Sequence, residues 1–192
     1  MLAIQKEKLA KQWSVSIATP YHVVYAQAIS EMITEALQEP GIALAARSPE
    51  YVAGVMQQGH AALAINGLGE VVGFSSIKLW DDGKFISNCG LIVPKAYRKQ
   101  GIGSAIVVSL WELAVDKYPG ATVFSLTDAP MVKKTRKAMG FAEMPFSAVT
   151  QDPHFWAGCR TCPQYTTYLA NNGQKCSCIV LAKTTVHNQL LG

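Results

Sequence analysis

Charge is scarce in this chain. Asp, Glu, Lys and Arg make up 16% of its 192 residues, against a hydrophobic share of 49%. That balance supplies a substantial core for one domain, or one domain with an appendage. Long uninterrupted apolar runs are missing too: no stretch of about 18 uncharged apolar residues occurs, which argues against a membrane span. The opening MLAIQKEKLAKQW scatters lysines through an amphipathic pattern and lacks an apolar h-region and a small-residue cleavage site. It does not read as a secretory signal. Without such a signal, the five cysteines are expected to be reduced thiols and the protein cytoplasmic. The net charge of +4 suits anionic ligands and is too mild to argue for nucleic acid. Internal repeats and low-complexity stretches are absent as well.

What is present is a change of hydrophobic period along the chain. Residues 21–38 carry apolar side chains at helical spacing, stopped by Pro40 and Gly41. A second short helix is predicted after Ser48 as N-cap and Pro49 in the first turn, with Gly59 beyond its end. HAALAI, the turn NGLG and EVVGFSSIKLW then read as a hairpin, and Asp81–Gly83 turns into a third strand, FISNCGLIV. SAIVVSLWELAVDKY is a helix closed by Pro119 and Gly120, ATVFSLT a buried strand, and APMVKKTRKAMGF a short basic helix ending at Gly140. CIVLAKT resembles a closing strand. Two helices, three strands, a helix, a strand, a helix and late strands predict an α+β sandwich with a mixed sheet, not a doubly wound parallel one.

Between the third strand and the long helix lies YRKQGIGSAI, residues 97–106. A P-loop is excluded because the lysine precedes the glycines, and GxGxxG fails because Ile106 stands at the third glycine. The remaining reading is a turn whose glycines let backbone N–H groups converge on an anion at a helix N-terminus, with Arg98 and Lys99 as countercharge.

Arg98–Gly103, following LIVP, resembles the Q/R-x-x-G-x-G/A acyl-CoA motif of the GNAT superfamily of N-acyltransferases. KAMGF resembles that family's LGF-type helix end, and the resemblance covers roughly residues 22–146. It implies a mostly antiparallel sheet flanked by helices, with an acyltransferase domain over 1–150. It further implies transfer of an acetyl or other short acyl group from acyl-CoA to an amine, on a small molecule or a protein, by a monomer or homodimer without nucleic acid or membrane as partner. By the same resemblance, Lys99, Gln100, Gly101, Ile102, Gly103 and Ser104 cradle the pyrophosphate with their backbone. Leu91, Ile92 and Val93 offer strand-edge groups to the pantetheine arm. The family's usual glutamate on the strand before the motif has no counterpart in FISNCGLIV, where Asn88 and Ser87 stand instead. Its usual tyrosine is replaced by Arg136, an implausible acid with a usual pKa above about 12 but able to stabilise a thiolate or phosphate. Asn88 and Asp128, the latter just after TVFSLT, are the substitute catalytic candidates. Those absences keep a second function open, a CoA-binding relative without turnover.

Residues 151–192 read as a Cys-containing extension packing on the same domain. CRTC at 159–162 and CSC at 176–178 are spaced as Cys159, Cys162, Cys176 and Cys178 would be in a structural zinc site. Three readings stay open for them: zinc, reduced thiols under a loop, and a redox disulfide. Phe155, Trp156 and Tyr165 either pack over the sheet or wall an acceptor pocket. A metal-stapled interaction module using Lys133, Lys134, Arg136 and Lys137 is the third function in view; these four otherwise read as a solvated helix face or countercharge for phosphates.

Overall fold

The computed structural model describes residues 2–39, 44–161 and 178–186. Helix α1 (Leu2–Lys11) and strand β1 (Trp13–Ile17) come first, then a 3-10 turn over Pro20–Tyr25 and helices α2 (Ala26–Ala36) and α3 (Pro49–Gln57). Strands β2 (Ala61–Asn66), β3 (Val71–Trp80) and β4 (Phe85–Ile92) follow, and then helix α4 (Ile102–Lys117). The described chain continues with β5 (Thr122–Thr127), α5 (Pro130–Ala138), β6 (Ala142–Met144), α6 (Pro153–Ala157) and β7 (Ile179–Thr184). The seven strands form one mixed sheet in the order β1-β2-β3-β4-β5-β7-β6. Pairing is antiparallel for β1 with β2, β2 with β3, β5 with β7 and β6 with β7, and parallel for β4 with β5. The expected α+β sheet, mostly antiparallel and flanked by helices, is what forms.

By compactness the chain divides into two units. One comprises residues up to Ile77 together with Cys89–Glu112, and the other Lys78–Asn88 and everything from Leu113. In the first unit, α2 and α3 bury one face each. Ile29, Ile33, Val52, Met56, Leu63 and Phe74 are all at most 1% exposed and share one cluster with Ile92. Each such side chain contributes about 1.5–3 kcal/mol by leaving water. Ser48 caps α3 as its sequence position predicts, its Oγ accepting from Tyr51 N at 3.3 Å, with Pro49 in the first turn.

Among the elements that differ from the sequence reading are the start of α2 and strand β1. The helix expected over 21–38 begins as a 3-10 turn, because Pro20 sets the first turn and His22 Nδ1 accepts from Thr19 N at 3.0 Å, which folds the chain locally. Strand β1 has no counterpart in that reading. Its residues alternate between half-buried and exposed, from Trp13↔Asn66 to Ile17↔Ala62, too short a run to stand out beside a lysine-rich segment.

The second unit packs Trp80, Phe124, Val149, Val180 and Ala182 with Phe146, Phe155 and Trp156. Phe155 meets Trp80 edge-on at 5.3 Å and Phe124 at 5.1 Å, and Trp156 Nε1 donates to Thr150 O at 2.9 Å. Of the two readings of these aromatics, packing is what Phe155 and Trp156 do. Tyr165, Cys162 and Cys176 lie outside the described residues.

Candidate functional site

In the first unit, β4 ends at Ile92, and Pro94 leads into a 3-10 turn over Lys95–Tyr97. Arg98 is extended, with φ −68° and ψ 158°. Lys99 takes φ 64° and Gly101 φ 86°, so the chain passes twice through the left-handed region before α4 begins. Glycine suits the second position because it adopts that conformation without steric penalty; Lys99 holds it as a lysine, at some local strain. The first backbone bond into the helix runs from Ala105 N to Gly101 O at 3.0 Å. The N–H groups of Gly101, Ile102, Gly103 and Ser104 therefore have no acceptor among the described residues. This is the free end of a helix dipole, with no acidic residue in its first turn.

The side chains around that row are arranged to leave it open. Ile102 is 1% exposed and turns its side chain into the core, so it offers backbone alone. Lys99, Gln100, Gly101 and Ser104 are exposed. A Cβ placed on Gly103 would lie 3.8 Å from both Leu91 and Val93, so the helix turn and the strand border the same space. Leu91 and Val93 are half-buried at that edge, whereas the Ile92 side chain belongs to the core.

Arg98 is committed elsewhere. Its Nη1 and Nη2 each donate to a Glu39 carboxylate oxygen at 2.6 Å, and its Nε donates to Val93 O at 2.9 Å. The guanidinium holds the Glu39 carboxyl below the usual carboxylate range, and the carboxylate in turn raises Arg98. Both side chains are about one-third exposed, at 33% each. Its fork ties the turn to the residues after α2, and Lys95 and Lys99 are left as the exposed cations of the turn. Asn66 Nδ2 donates to Tyr97 Oη at 3.2 Å, which fixes the turn to the β2–β3 connection as well.

A residue that the sequence did not single out seats the helix itself. A Cβ on Gly73 of β3 would lie 2.8 Å from both Ile102 Cγ2 and Ile106 Cδ1. The missing side chain lets α4 approach the sheet at its first turns, beside the free N–H row. The GFSS pattern of a strand gives no hint of this, because close approach is a property of the partner.

In the second unit, the parallel ladder between β4 and β5 runs from Phe85↔Thr122 to Ser87↔Phe124. Asn88 lies within β4, directly after Ser87, and Asp128 directly follows β5; both are half-buried. Thr127 Oγ1 accepts from Ala129 N at 3.1 Å and shapes the chain around Asp128. Asp81 and Asp82 occupy a tight turn with φ of 50° and 54°.

Arg136 corrects the reading of α5 as a solvated basic face. Lys134 and Lys137 are exposed, but Arg136 is 1% exposed, packed with its guanidinium 4.7 Å from the Phe141 ring centroid. Its Nε and Nη2 have no hydrogen-bond partner among the described residues. Burial lowers its pKa to about 10, which still leaves it cationic at neutral pH. In the C-terminal part, Cys159 lies in a 3-10 turn over Gly158–Thr161 and Cys178 directly precedes β7. Among the described residues no group of three or more His, Cys, Asp or Glu is placed to hold a metal.

Fold and turn together define a class: a mixed sheet whose fourth strand leads into a helix start with free N–H groups. Residues 27–143, more than half of the chain, match the model of the acetyltransferase (GNAT) family, and the chain belongs to that family. No curated protein matches its sequence. Among solved structures it resembles an acetyltransferase, yncA, from Salmonella typhimurium with acetyl-CoA, at 14% identity and TM-score 0.62, covering 92% of this chain and 96% of that one. A Mycobacterium tuberculosis protein in complex with CoA is similar at 23% identity and TM-score 0.60, covering 88% and 99%. N-acetylglutamate synthase from Neisseria gonorrhoeae, complexed with coenzyme A and N-acetyl-glutamate, is similar at 14% identity and TM-score 0.60; this chain is covered to 90% but spans 35% of that one.

Proposed function

We propose that the protein transfers an acetyl or other short acyl group from acyl-CoA to an amine. The observation that carries this is the row of unpartnered N–H groups from Gly101 to Ser104, bordered by the Leu91–Val93 strand edge. Four donors and a helix dipole fit a pyrophosphate. The strand edge fits a peptide-like pantetheine arm, and its amides suit the oxygen of a polarised thioester. The amine nitrogen attacks the thioester carbonyl carbon, the C–S bond breaks, CoA leaves as a thiolate, and the amine proton passes to water oriented by Asn88 or Asp128.

Thiol release from acetyl-CoA over a broad amine panel, alongside calorimetric CoA binding, tests this. Saturable binding with acceptor-dependent release is expected. Gly103→Glu, which puts a carboxylate into the cradle, should abolish binding with the fold intact, and unchanged binding would sink the assignment. A second reading, a CoA-binding protein without turnover, is favoured by the absence of a carboxylate on β4 and by the buried Arg136. Binding without release for every acceptor would select it.

The same reading takes residues 1–150 as the transferase domain and 151–192 as an extension packed on it, supported by the pairing of β7 with β5 and β6. For Cys159, Cys162, Cys176 and Cys178 it keeps three readings, a structural zinc, reduced thiols and a redox disulfide, and elemental analysis of the purified protein separates the first from the others. It also places the protein in the cytoplasm as a monomer or homodimer. Among the described residues no helix is long and apolar enough to cross a membrane.

A further inference from the structure

A second cationic cluster lies in the same unit as the cradle, and the chemistry above makes no use of it. Arg47 sits one residue before the cap of α3, where its backbone carbonyl accepts from Ser30 Oγ of α2 at 2.7 Å. Its guanidinium lies over the Tyr51 ring, 4.7 Å from the centroid. The Tyr51 hydroxyl lies beside the side chains of Ser76 on β3 and of Arg47, which oppose the effect of burial on it. Burial, and then the neighbouring Cys89 thiol, push the phenol above its ordinary pKa, so it stays a neutral donor near pH 7.

Arg47 differs from Arg98 and Arg136, the other half-buried or buried arginines among the described residues. Arg98 is neutralised by a bidentate carboxylate, and Arg136 is sealed from solvent. Arg47 is half-exposed, and no acidic group pairs with it among the described residues. Its Nη1 donates to its neighbour's carbonyl, Ala46 O, at 3.4 Å. Stacking on Tyr51 orients the planar fork and leaves the NH groups able to face a ligand.

The position of the cluster along β4 gives it a role. Cys89 lies four residues before Val93, with Gly90 at φ 63° between them. An acyl-CoA whose pyrophosphate rests on α4 and whose arm follows Val93 back to Leu91 brings its thioester toward Cys89, and so toward the Tyr51–Arg47 pair. An anion on Arg47 would then be attached to the acceptor, and a planar bidentate fork matches a carboxylate.

We propose that Arg47, oriented by Tyr51, binds the carboxylate of an acceptor that carries both an amine and a carboxylate, as amino acids do; this rests on the acyl-CoA reading of the cradle. Tyr51 is the positioning residue and Arg47 the one that touches substrate.

The test compares L-amino acids with their decarboxylated amines as acceptors for the wild type, Arg47→Ala, Arg47→Lys and Tyr51→Phe. The wild type should favour the carboxylate-bearing member of a pair. Arg47→Ala should raise KM for it about thirtyfold or more, with a smaller change in kcat, unchanged use of the decarboxylated amine and unchanged CoA affinity. Arg47→Lys should recover only part, because a point charge does not reproduce the fork. Tyr51→Phe keeps the ring and should fall between wild type and Arg47→Ala. Equal use of both members of each pair, or an unchanged KM in Arg47→Ala, overturns the proposal. If no acceptor releases thiol, the transferase reading fails separately, and saturation-transfer NMR of the amino acids with wild type and Arg47→Ala still decides. Binding lost in the variant supports the carboxylate site, and no binding to the wild type overturns it.

Discussion

Replacing Gly73 by alanine tests whether the seating of α4 creates the cradle. The added Cβ would stand 2.8 Å from Ile102 Cγ2 and Ile106 Cδ1, short of ordinary carbon–carbon contact by about 1 Å. Ile106 Cδ1 is the end of a side chain and can rotate away. Ile102 Cγ2 is fixed on a β-branched carbon and, at 1% exposure, has nowhere to go. The helix start must therefore move. Overpacking of this kind costs about 1–3 kcal/mol, partly offset by about 0.4–1 kcal/mol from the lower entropy of the unfolded alanine chain. A net loss of about 1–2 kcal/mol should lower Tm by about 3–6 °C. The shift falls on Gly101–Ser104, so CoA binding should weaken by about 10- to 100-fold. Thermal denaturation and calorimetric titration read both effects. Adding Ile106→Val, which removes one of the two clashing methyls, should recover stability relative to Gly73→Ala alone, although by itself it costs about 0.5–1.5 kcal/mol. An alanine variant that melts like the wild type and binds CoA as tightly would refute the argument.

Three further outcomes are expected. Arg98→Lys should weaken CoA binding nearly as much as Arg98→Ala, because lysine cannot make the fork to Glu39 and the bond to Val93 O together; retained affinity would make Arg98 a simple phosphate countercharge. Glu39 has a depressed folded pKa, so its contribution is present above the usual carboxylate range and is lost as pH falls through the lowered value; Glu39→Gln should flatten the acid limb of stability against pH. Arg136→Met should raise stability by about 1–3 kcal/mol, since a desolvated cation is replaced by a similar apolar volume; a variant that melts lower in thermal denaturation would place Arg136 in the packing instead.

The parts of this fold that announce themselves locally were readable from sequence. Ser48 with Pro49 marks the start of α3, and the Arg98–Gly103 turn sits between β4 and α4 where its neighbours require it. Properties set by distant partners were not readable. Arg98 looks like a free cation until Glu39, 59 residues away, is found on its fork. Arg136 shares a helix with three lysines, and only the packing of α5 shows that it faces inward. Gly73 reads as a weak point in a strand until α4 is laid over it. Strand β6, Ala142–Met144, is three exposed residues long and has no periodicity to detect.

Strand β7 has a consequence for how the second unit is made. It lies between β5 and β6, pairing with six residues of one and three of the other, although 34 residues separate Met144 from Ile179 along the chain. A nascent chain that has emerged only as far as α6 carries β5 with one edge unpaired and β6 with nothing to join. Its second unit must wait, with the β5 edge unpaired, until residues 179–184 leave the ribosome and slot between two strands already made. That waiting period, rather than the finished protein, is when this chain is most exposed to aggregation and most in need of a chaperone.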